Sequence, residues 1–397
     1  MLKKIKNNVY WNGVIDWKLR KFHGDELSTH HGSTYNSYLI KEEKTVLIDT
    51  VWEPFQEEYL RELPEDVDLK QIDAVIVLHA EIDHSGALAK LMERLPGVPV
   101  YCSHNGVKSI KGHFHKDWNF KPVRTGDSLD LGNGKKLVFI EAAMLHWPDT
   151  MFAYLTEDKI LFSSDAFGQH FATDKFWADL EDQEVLWAEA IKYYANIIAP
   201  WSKLVDAKMM EIEAMNLPIE MILTAHGASW RGNMHKLFTT YEAWAESYKE
   251  DRITVLYDTI WGGTGIMAEA IARGIREASP GTAVNVFNLA KADKNDVATE
   301  VFRSKAVLIG SPSHNKCVLS SVAAVLEELR GFAYKGKKAA AFGCYGWSGE
   351  GQKRLTGILR EIGYEVVDDG ITNVWEPSPE AIDQCVAYGR AFAGKVK

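Results

Sequence analysis

The chain has 397 residues, 46% of them hydrophobic, which is enough for two domains of ordinary size, each with its own core. A formal net charge of −10 with no clustered basic stretch argues against nucleic acid as a partner, and no apolar run is long enough to span a bilayer. The four cysteines, Cys102, Cys317, Cys344 and Cys385, are dispersed and form no C-x-x-C pair, which excludes a zinc knuckle, a built-in Cys-ligated iron site and a disulfide framework. The start, Met1-Leu2-Lys3-Lys4-Ile5-Lys6, carries basic residues without a following signal-peptide core, so a soluble, cytoplasmic protein is expected.

Along residues 1–249 the pattern is strand-rich and then mixed. Tyr35–Ile40 and Thr45–Thr50 read as paired strands, a charged helix follows around Phe55–Leu63, and the apolar stretch Ile72–Leu78 reads as a buried strand. An αββα layered domain is expected. Directly after the buried strand comes His79-Ala80-Glu81-Ile82-Asp83-His84. Four imidazole and carboxylate groups crowded onto one tight turn converge on metal, because burying them without a cation leaves charge and hydrogen-bonding capacity uncompensated. On an extended turn His79 and Glu81 point to one side while Asp83 and His84 come round to a neighbouring position, which points to two metals.

Three further ligand types each follow an apolar, strand-like run: His146 after Ala142–Leu145, Asp165 after Ile160–Phe162, and His226 after Met221–Leu223. Their shared placement at strand ends separates them from His113 and His115, and from His30 and His31, whose polar surroundings read as solvated loops. The charged segment Lys249-Glu250-Asp251-Arg252 reads as a connector to a second domain over residues 253–397.

There, strands are expected at Ile253–Tyr257, Ala283–Phe287, Ala306–Ile309, Lys338–Phe342 and Glu365–Val367, with helices between them and a last helix over Pro379–Phe392. Five strands alternating with helices predict a doubly wound parallel sheet. After the first strand, Asp258-Thr259-Ile260-Trp261-Gly262-Gly263-Thr264-Gly265 leads into an amphipathic helix from about Ile266, so hydroxyls, glycines and a helix N-terminus together form an anion cradle. The loop has no lysine and is neither a P-loop nor G-x-G-x-x-G, which argues against an ATPase and a Rossmann dinucleotide site. Two later loops, Ser311-Pro312-Ser313-His314-Asn315-Lys316 and Gly343-Cys344-Tyr345-Gly346-Trp347-Ser348-Gly349, follow strands three and four and would meet it at the carboxyl ends of the sheet.

The metal pattern resembles the metallo-β-lactamase fold family, with Glu81 in place of the usual second histidine. That exchange leaves three carboxylates, Glu81, Asp83 and Asp165, beside the histidines and no thiolate, which favours iron or manganese over zinc. Followed by a loop similar to the flavodoxin phosphate loop at Thr259, Trp261 and Thr264, it identifies the chain as similar throughout to the flavodiiron proteins, or A-type flavoproteins, notably the rubredoxin:oxygen oxidoreductases and the flavorubredoxin core. Gly263 departs from the serine or asparagine common there.

The resemblance implies an FMN cofactor and two non-haem irons. By it, His79, Glu81 and His146 ligate one iron, Asp83 and His226 the other, and Asp165 bridges them, while His84 ligates in some members and is displaced in others. His23, Tyr193 and Tyr194 are candidates for the substrate pocket. Trp347 either flanks the flavin or faces the diiron pocket of another subunit. The implied activity is reduction of O2 to water, of NO to N2O, or both, in a head-to-tail homodimer or a dimer of dimers. With no rubredoxin-like segment after Lys397 and no nicotinamide signature, electrons are expected from a separate rubredoxin or similar donor. Three other classes stand beside this reading: a dinuclear zinc hydrolase fused to a flavodoxin, a plain electron carrier, and a redox or gas sensor.

Overall fold

Strands form in the N-terminal half where apolar and β-branched residues cluster, and they stay where both faces find partners. In the computed structural model, which describes residues 2–397 apart from the Asp66 side chain, Met1–Glu242 and Ala243–Lys397 are separate compact units. The first unit holds two sheets. One orders Lys3–Lys6, Val9–Trp11, Tyr38–Lys41, Thr45–Ile48, Ile72–Ile76, Val100–Ser103 and Phe120–Val123. The other orders Ser128–Gly132, Lys135–Glu141, Met151–Leu155, Ile160–Ser164, Met221–Thr224 and Trp230–Arg231.

Ile40, Val46, Ile48 and Ile76 from the first sheet share one buried cluster with Phe139, Ala153, Phe162 and Leu223 from the second. Burial of each of these valine, leucine, isoleucine and phenylalanine side chains contributes about 1.5–3 kcal/mol. Truncating Phe162 to alanine is expected to cost about 3–5 kcal/mol, and to loosen the strand that delivers Asp165. Strand direction then fixes the site. Thr45–Ile48, Ile72–Ile76 and Val100–Ser103 run parallel, as do Ile160–Ser164 and Met221–Thr224, so the residues that follow them emerge at common sheet ends.

Three local expectations change in this unit. Ala142–Leu145 is a turn rather than a strand: the strand stops at Glu141, Met144 adopts a positive φ of 68°, and the Leu145 N–H returns to the Ala142 carbonyl. His113 lies in the last turn of the helix His104–Phe114, and His115 closes it in a left-handed conformation, so the alternation is a helix end and not a loop. His31 forms a bridge with Phe171 and places Nε2 3.6 Å from Glu189.

The second unit is a parallel sheet ordered Ala283–Asn288, Glu250–Tyr257, Ser304–Gly310, Lys338–Tyr345, Glu365–Val366, with Ile371–Val374 also paired to Lys338–Tyr345. Val255, Leu308 and Phe342 pack with Met267 and Ile271 of the helix Gly263–Ala278 and with Phe392 of the helix Pro379–Lys395. The two helices approach closely because a Cβ at Gly274 would lie 2.0 Å from the Val386 carbonyl oxygen, and one at Gly389 would lie 2.1 Å from that of Ile271.

The charged segment expected as a connector becomes strand from Glu250 onward. It is held there by Arg303, whose Nε and Nη2 reach the two Glu250 oxygens at 2.7 and 3.0 Å, and by Arg252, which reaches Glu300 at 2.8 Å. Gly343–Tyr345 likewise remain inside their strand, so the loop after it begins at Gly346. The expected fifth strand forms at Glu365–Val366, and a short strand that was not expected, Ile371–Val374, follows a turn at Gly370 with φ of 79°.

Candidate metal centre and flavin cradle

The turn after Ile72–Ile76 is built so that its backbone is satisfied without its ligand side chains. Ser85 Oγ donates to the carbonyls of Ala80 and Glu81 at 2.7 and 3.0 Å, Thr50 Oγ1 donates to that of His84 at 2.8 Å, and Asp49 Oδ1 accepts from Leu78 N at 2.8 Å. Glu81 precedes a single helical turn, Ile82–Ser85, which swings Asp83 and His84 away from His79 and Glu81.

Two groups of ligand atoms result, each gathered within 4.8 Å: His79, Glu81, His146 and Asp165 in one, and Asp83, His84 and His226 in the other. Glu81 Oε2 lies 3.1 Å from His79 Nε2 and 3.3 Å from His146 Nε2. Asp83 Oδ2 lies 2.9 Å from His226 Nε2 and 3.4 Å from His84 Nε2. Asp165 faces both groups with different oxygens: Oδ2 is 3.6 and 3.5 Å from His79 and His146, and Oδ1 is 3.2 and 3.5 Å from His84 and His226.

Donors about 2.1 Å from an octahedral metal stand about 3.0 Å apart, close to these separations. Asp83 Oδ1 and Asp165 Oδ2 are buried without a hydrogen-bond partner, and an orphaned charge in a core is costly unless a cation supplies the missing bond. The donor set of imidazoles and carboxylates fits two redox-capable first-row metals.

The electrostatics agree. Burial opposes ionisation of Asp165, yet the nearby His84, His79 and His146 hold its carboxyl well below the usual range. Burial likewise works against protonated His84, but Asp165 and Asp83 push it up to about 9. The pocket therefore attracts positive charge, and metal uptake there releases protons.

Tyr193 and Tyr194 separate clearly. Tyr193 OH donates to Asp165 Oδ1 at 3.1 Å, and burial with the nearby Asp165 and Asp83 holds its pKa well above the ordinary value, so it keeps its proton. Tyr194 turns away to Ser202 Oγ at 3.2 Å and packs on Tyr241, because successive helical residues point about 100° apart; its expected place in the pocket is corrected accordingly. A π-helical stretch, Tyr194–Ile198, begins at this point. His23, with φ of 51°, brings Nε2 to 3.2 Å from Glu81 Oε1 and stacks on Phe22.

Other residues at the site escaped the sequence reading. Asp149 Oδ2 lies 3.3 Å from His79 Nδ1. His170 packs edge-on against Tyr193, and burial with His226 and His23 nearby lowers its pKa so far that the imidazole is neutral. Phe22 touches the rings of Trp52, His170 and His226. The signals available were thin: Asp149 lies three residues after His146 and His170 five after Asp165, and neither position carries a strand-end pattern.

In the second unit, Thr259 Oγ1 accepts from Gly262 N at 3.0 Å and Asp258 Oδ1 accepts from Thr259 N at 2.7 Å, shaping a loop that enters its helix through Gly262 at φ of 98°. Thr264 Oγ1 is buried there with no hydrogen-bond partner, which fits a hydroxyl awaiting a phosphate oxygen. A side chain at Gly263 would crowd Cys344 Sγ at 3.1 Å, so the first residue of the helix stays without one.

Ser311 Oγ accepts from Leu319 N and Ser313 Oγ accepts from Gly351 N, so these hydroxyls brace their own loops. Pro312 follows Ser311, and the turn through His314 and Asn315 closes on Cys317. Gly343 lets its strand pass the Ser311 carbonyl, which an added Cβ would meet at 2.0 Å. Tyr345 carries the strand to Gly346, and Ser348 and Gly349 lead into the next helix. Trp261 and Trp347 are each 89% exposed, as is much of Ile260, an uncovered rim around the cradle.

Residues 34–227 match the family model ODP family beta lactamase, and residues 255–389 match Flavodoxin. The chain is 49% identical over 390 residues to the anaerobic nitric oxide reductase flavorubredoxin of Aliivibrio salmonicida, covering 98% of this chain and 78% of that one. Its structure resembles the rubredoxin oxygen:oxidoreductase of Desulfovibrio gigas, at a TM-score of 0.96 and 31% identity over 100% of this chain and 98% of that one. It also resembles a flavodiiron protein from Giardia intestinalis, at a TM-score of 0.95 and 34% identity over 100% and 97%. The first unit is thus metallo-β-lactamase-like and the second flavodoxin-like.

Proposed function

The chain belongs to the flavodiiron protein family, and from that premise we propose that it is a terminal reductase that passes electrons from FMN to a non-haem diiron site and reduces NO to N2O, O2 to water, or both. The observation that carries this reading is Asp165, which turns one carboxylate oxygen to each of two ligand groups. His79, Glu81 and His146 would hold one iron and Asp83, His84 and His226 the other, with Asp165 offering a carboxylate oxygen to each group. When bound, FMN supplies an electron pair and the irons supply one-electron couples with open positions for a diatomic molecule.

The protein's own groups prepare that chemistry. Tyr193 keeps its proton and steadies Asp165 Oδ1. His23 stands at the outer oxygen of Glu81, partly open to solvent, where its Nε2 carries protons inward. Phe22, Tyr35 and half-buried Trp52 form an aromatic wall beside His226 that admits an apolar gas and excludes water. At the cradle, the Thr264 hydroxyl and the backbone N–H groups at the start of the helix, at residues 263 and 264, would hold the FMN phosphate. Gly346–Gly349 and the 311–315 loop border the ring.

Electrons come from an external donor, a rubredoxin or similar carrier. The working assembly is a cytoplasmic head-to-tail homodimer or a dimer of dimers, with the exposed Trp347 at the junction. Among the described residues no helix is long and apolar enough to cross a membrane. The zinc hydrolase reading gives way, because relatives along the whole chain are reductases and the donor set includes an oxygen-rich carboxylate trio.

The test is metal and flavin content of anaerobically purified protein, then reduction and rapid mixing with O2 or NO. About two irons and one FMN per chain, both reoxidised by gas, are expected. Two zincs beside a flavin indifferent to them would refute the reading.

A further inference from the structure

Two of the imidazoles facing Asp165, His79 and His226, are held from behind by different chemistry. His79 is fully buried, and its Nδ1 lies 3.3 Å from Asp149 Oδ2, which also accepts the Ala80 N–H at 2.7 Å. Asp149 is itself 1% exposed, and its other oxygen, Oδ1, is buried without a partner, so little besides His79 and the Ala80 amide offsets its charge. The Ser103 hydroxyl fixes the Asp149 carbonyl at 2.7 Å. Across the site, His226 Nδ1 faces an uncharged acceptor, the Thr34 carbonyl at 2.6 Å, with Ser33 Oγ at 3.5 Å. Both acceptors set the same tautomer, Nδ1 protonated and Nε2 turned to the site. A carboxylate in this place makes the imidazole a stronger donor than a carbonyl does.

We infer that Asp149 is a positioning residue that makes the two metal positions unequal: the one served by His79, Glu81 and His146 binds iron more tightly and holds it ferric at a lower potential than the one served by Asp83, His84 and His226. The inference rests on the diiron reading above.

Asp149→Asn tests it, because the amide keeps the shape and an acceptor oxygen but loses the charge. FMN-loaded wild type and variant are stripped of metal, titrated anaerobically with Fe(II) against a chelator, and followed by EPR through a redox titration. In the variant one of the two irons is expected to bind about 10–100-fold more weakly while the other is unchanged, with the first oxidation moved to higher potential and FMN content intact. Two irons bound as in the wild type, at unshifted potentials, would overturn the inference and leave the diiron reading standing. A wild type that takes up no iron would overturn both. Where the variant fails to fold, the wild type loaded with one equivalent of Fe(II) and located by anomalous scattering decides: excess at the His79 position supports the inference, and an even or reversed distribution refutes it.

Discussion

The two units differ in where their charge lies. Ala243–Lys397 carries 19 Lys and Arg against 19 Asp and Glu, while residues 1–242 carry 26 against 36, so the whole net charge of −10 belongs to the metal unit. That unit also buries part of its negative charge. Asp83, Asp149 and Asp165 are each at most 4% exposed with pKa values held low, and one oxygen of each lacks a partner. The flavin unit instead meets its anionic ligand with neutral donors on a loop braced by Thr259 and Asp258. One unit is completed by cations and the other by a phosphate, and each should respond to loss of its own ligand alone.

The largest test of that separation is Asp165→Asn. Removing one charge from a carboxylate shared by two ligand groups should lower iron content from about two per chain to one or fewer and gas reduction by at least about 100-fold, while FMN stays at one per chain. Iron content and turnover both unchanged would count against the bridge. Chelation of the wild type is the next largest test. Metal that binds only the folded state stabilises it by about 4 kcal/mol at a thousandfold excess over the dissociation constant. The unfolding transition of the metal unit, read by tryptophan fluorescence, should therefore move down while flavin release does not shift. A common shift of both would show the units to be thermodynamically one.

The ligand positions stood out in the sequence because each takes one conspicuous residue type, and most follow an apolar run. His79, Asp165 and His226 come from strand ends, where the next side chain must leave the core. The flavin sheet was equally legible from its alternation of strand and helix. What stayed hidden depends on contacts distant in sequence. Asp149 acquires its role only by lying beside His79, 70 residues away. Tyr193 and Tyr194 look alike in sequence, and the helix phase, set by packing on Tyr241 and Asp165, selects one. Ala142–Leu145 is apolar enough for a strand, but the positive φ at Met144 turns it aside. The charge of Lys249–Arg252 reads as solvent-exposed until Arg303 and Glu300 are brought against it.

The units should also respond to opposite ends of the pH scale. Lys337 is 1% exposed, with Nζ 2.5 Å from the carbonyls of Tyr248 and Phe302; burial, with help from Lys249, lowers its pKa from 10.5 to about 7. Between those values the folded chain binds fewer protons than the unfolded one, so the flavin unit gains stability as pH rises from about 7 toward 10.5 and loses it on the way back. The gain is at most about 5 kcal/mol. In the metal unit Asp83 and Asp165 have lowered pKa values despite burial, so their contribution holds above the ordinary carboxylate range and is lost toward acid. Urea unfolding of the flavin unit at pH 7.5 and 9.5 checks the first claim. Lys337→Met should remove the slope, and a slope that survives would place its origin elsewhere.

The smallest of these effects probes the cradle. Thr264 is 1% exposed and its hydroxyl has no partner, so the unliganded loop leaves a buried polar group unsatisfied that a phosphate oxygen would complete. A hydrogen bond to a charged group contributes about 1.5–3 kcal/mol, so Thr264→Val should weaken FMN binding by about 10–100-fold. Valine keeps the β-branched shape at the helix start, and removing the orphaned hydroxyl relieves a desolvation cost, so the FMN-free variant should be at least as stable as the wild type. Iron content should not change. Measured by flavin fluorescence on metal-loaded protein, weaker FMN with full iron would sharpen the division between the units. A variant that loses iron along with FMN would break it, because a single hydroxyl in the neutral unit would then govern the cation site of the acidic one.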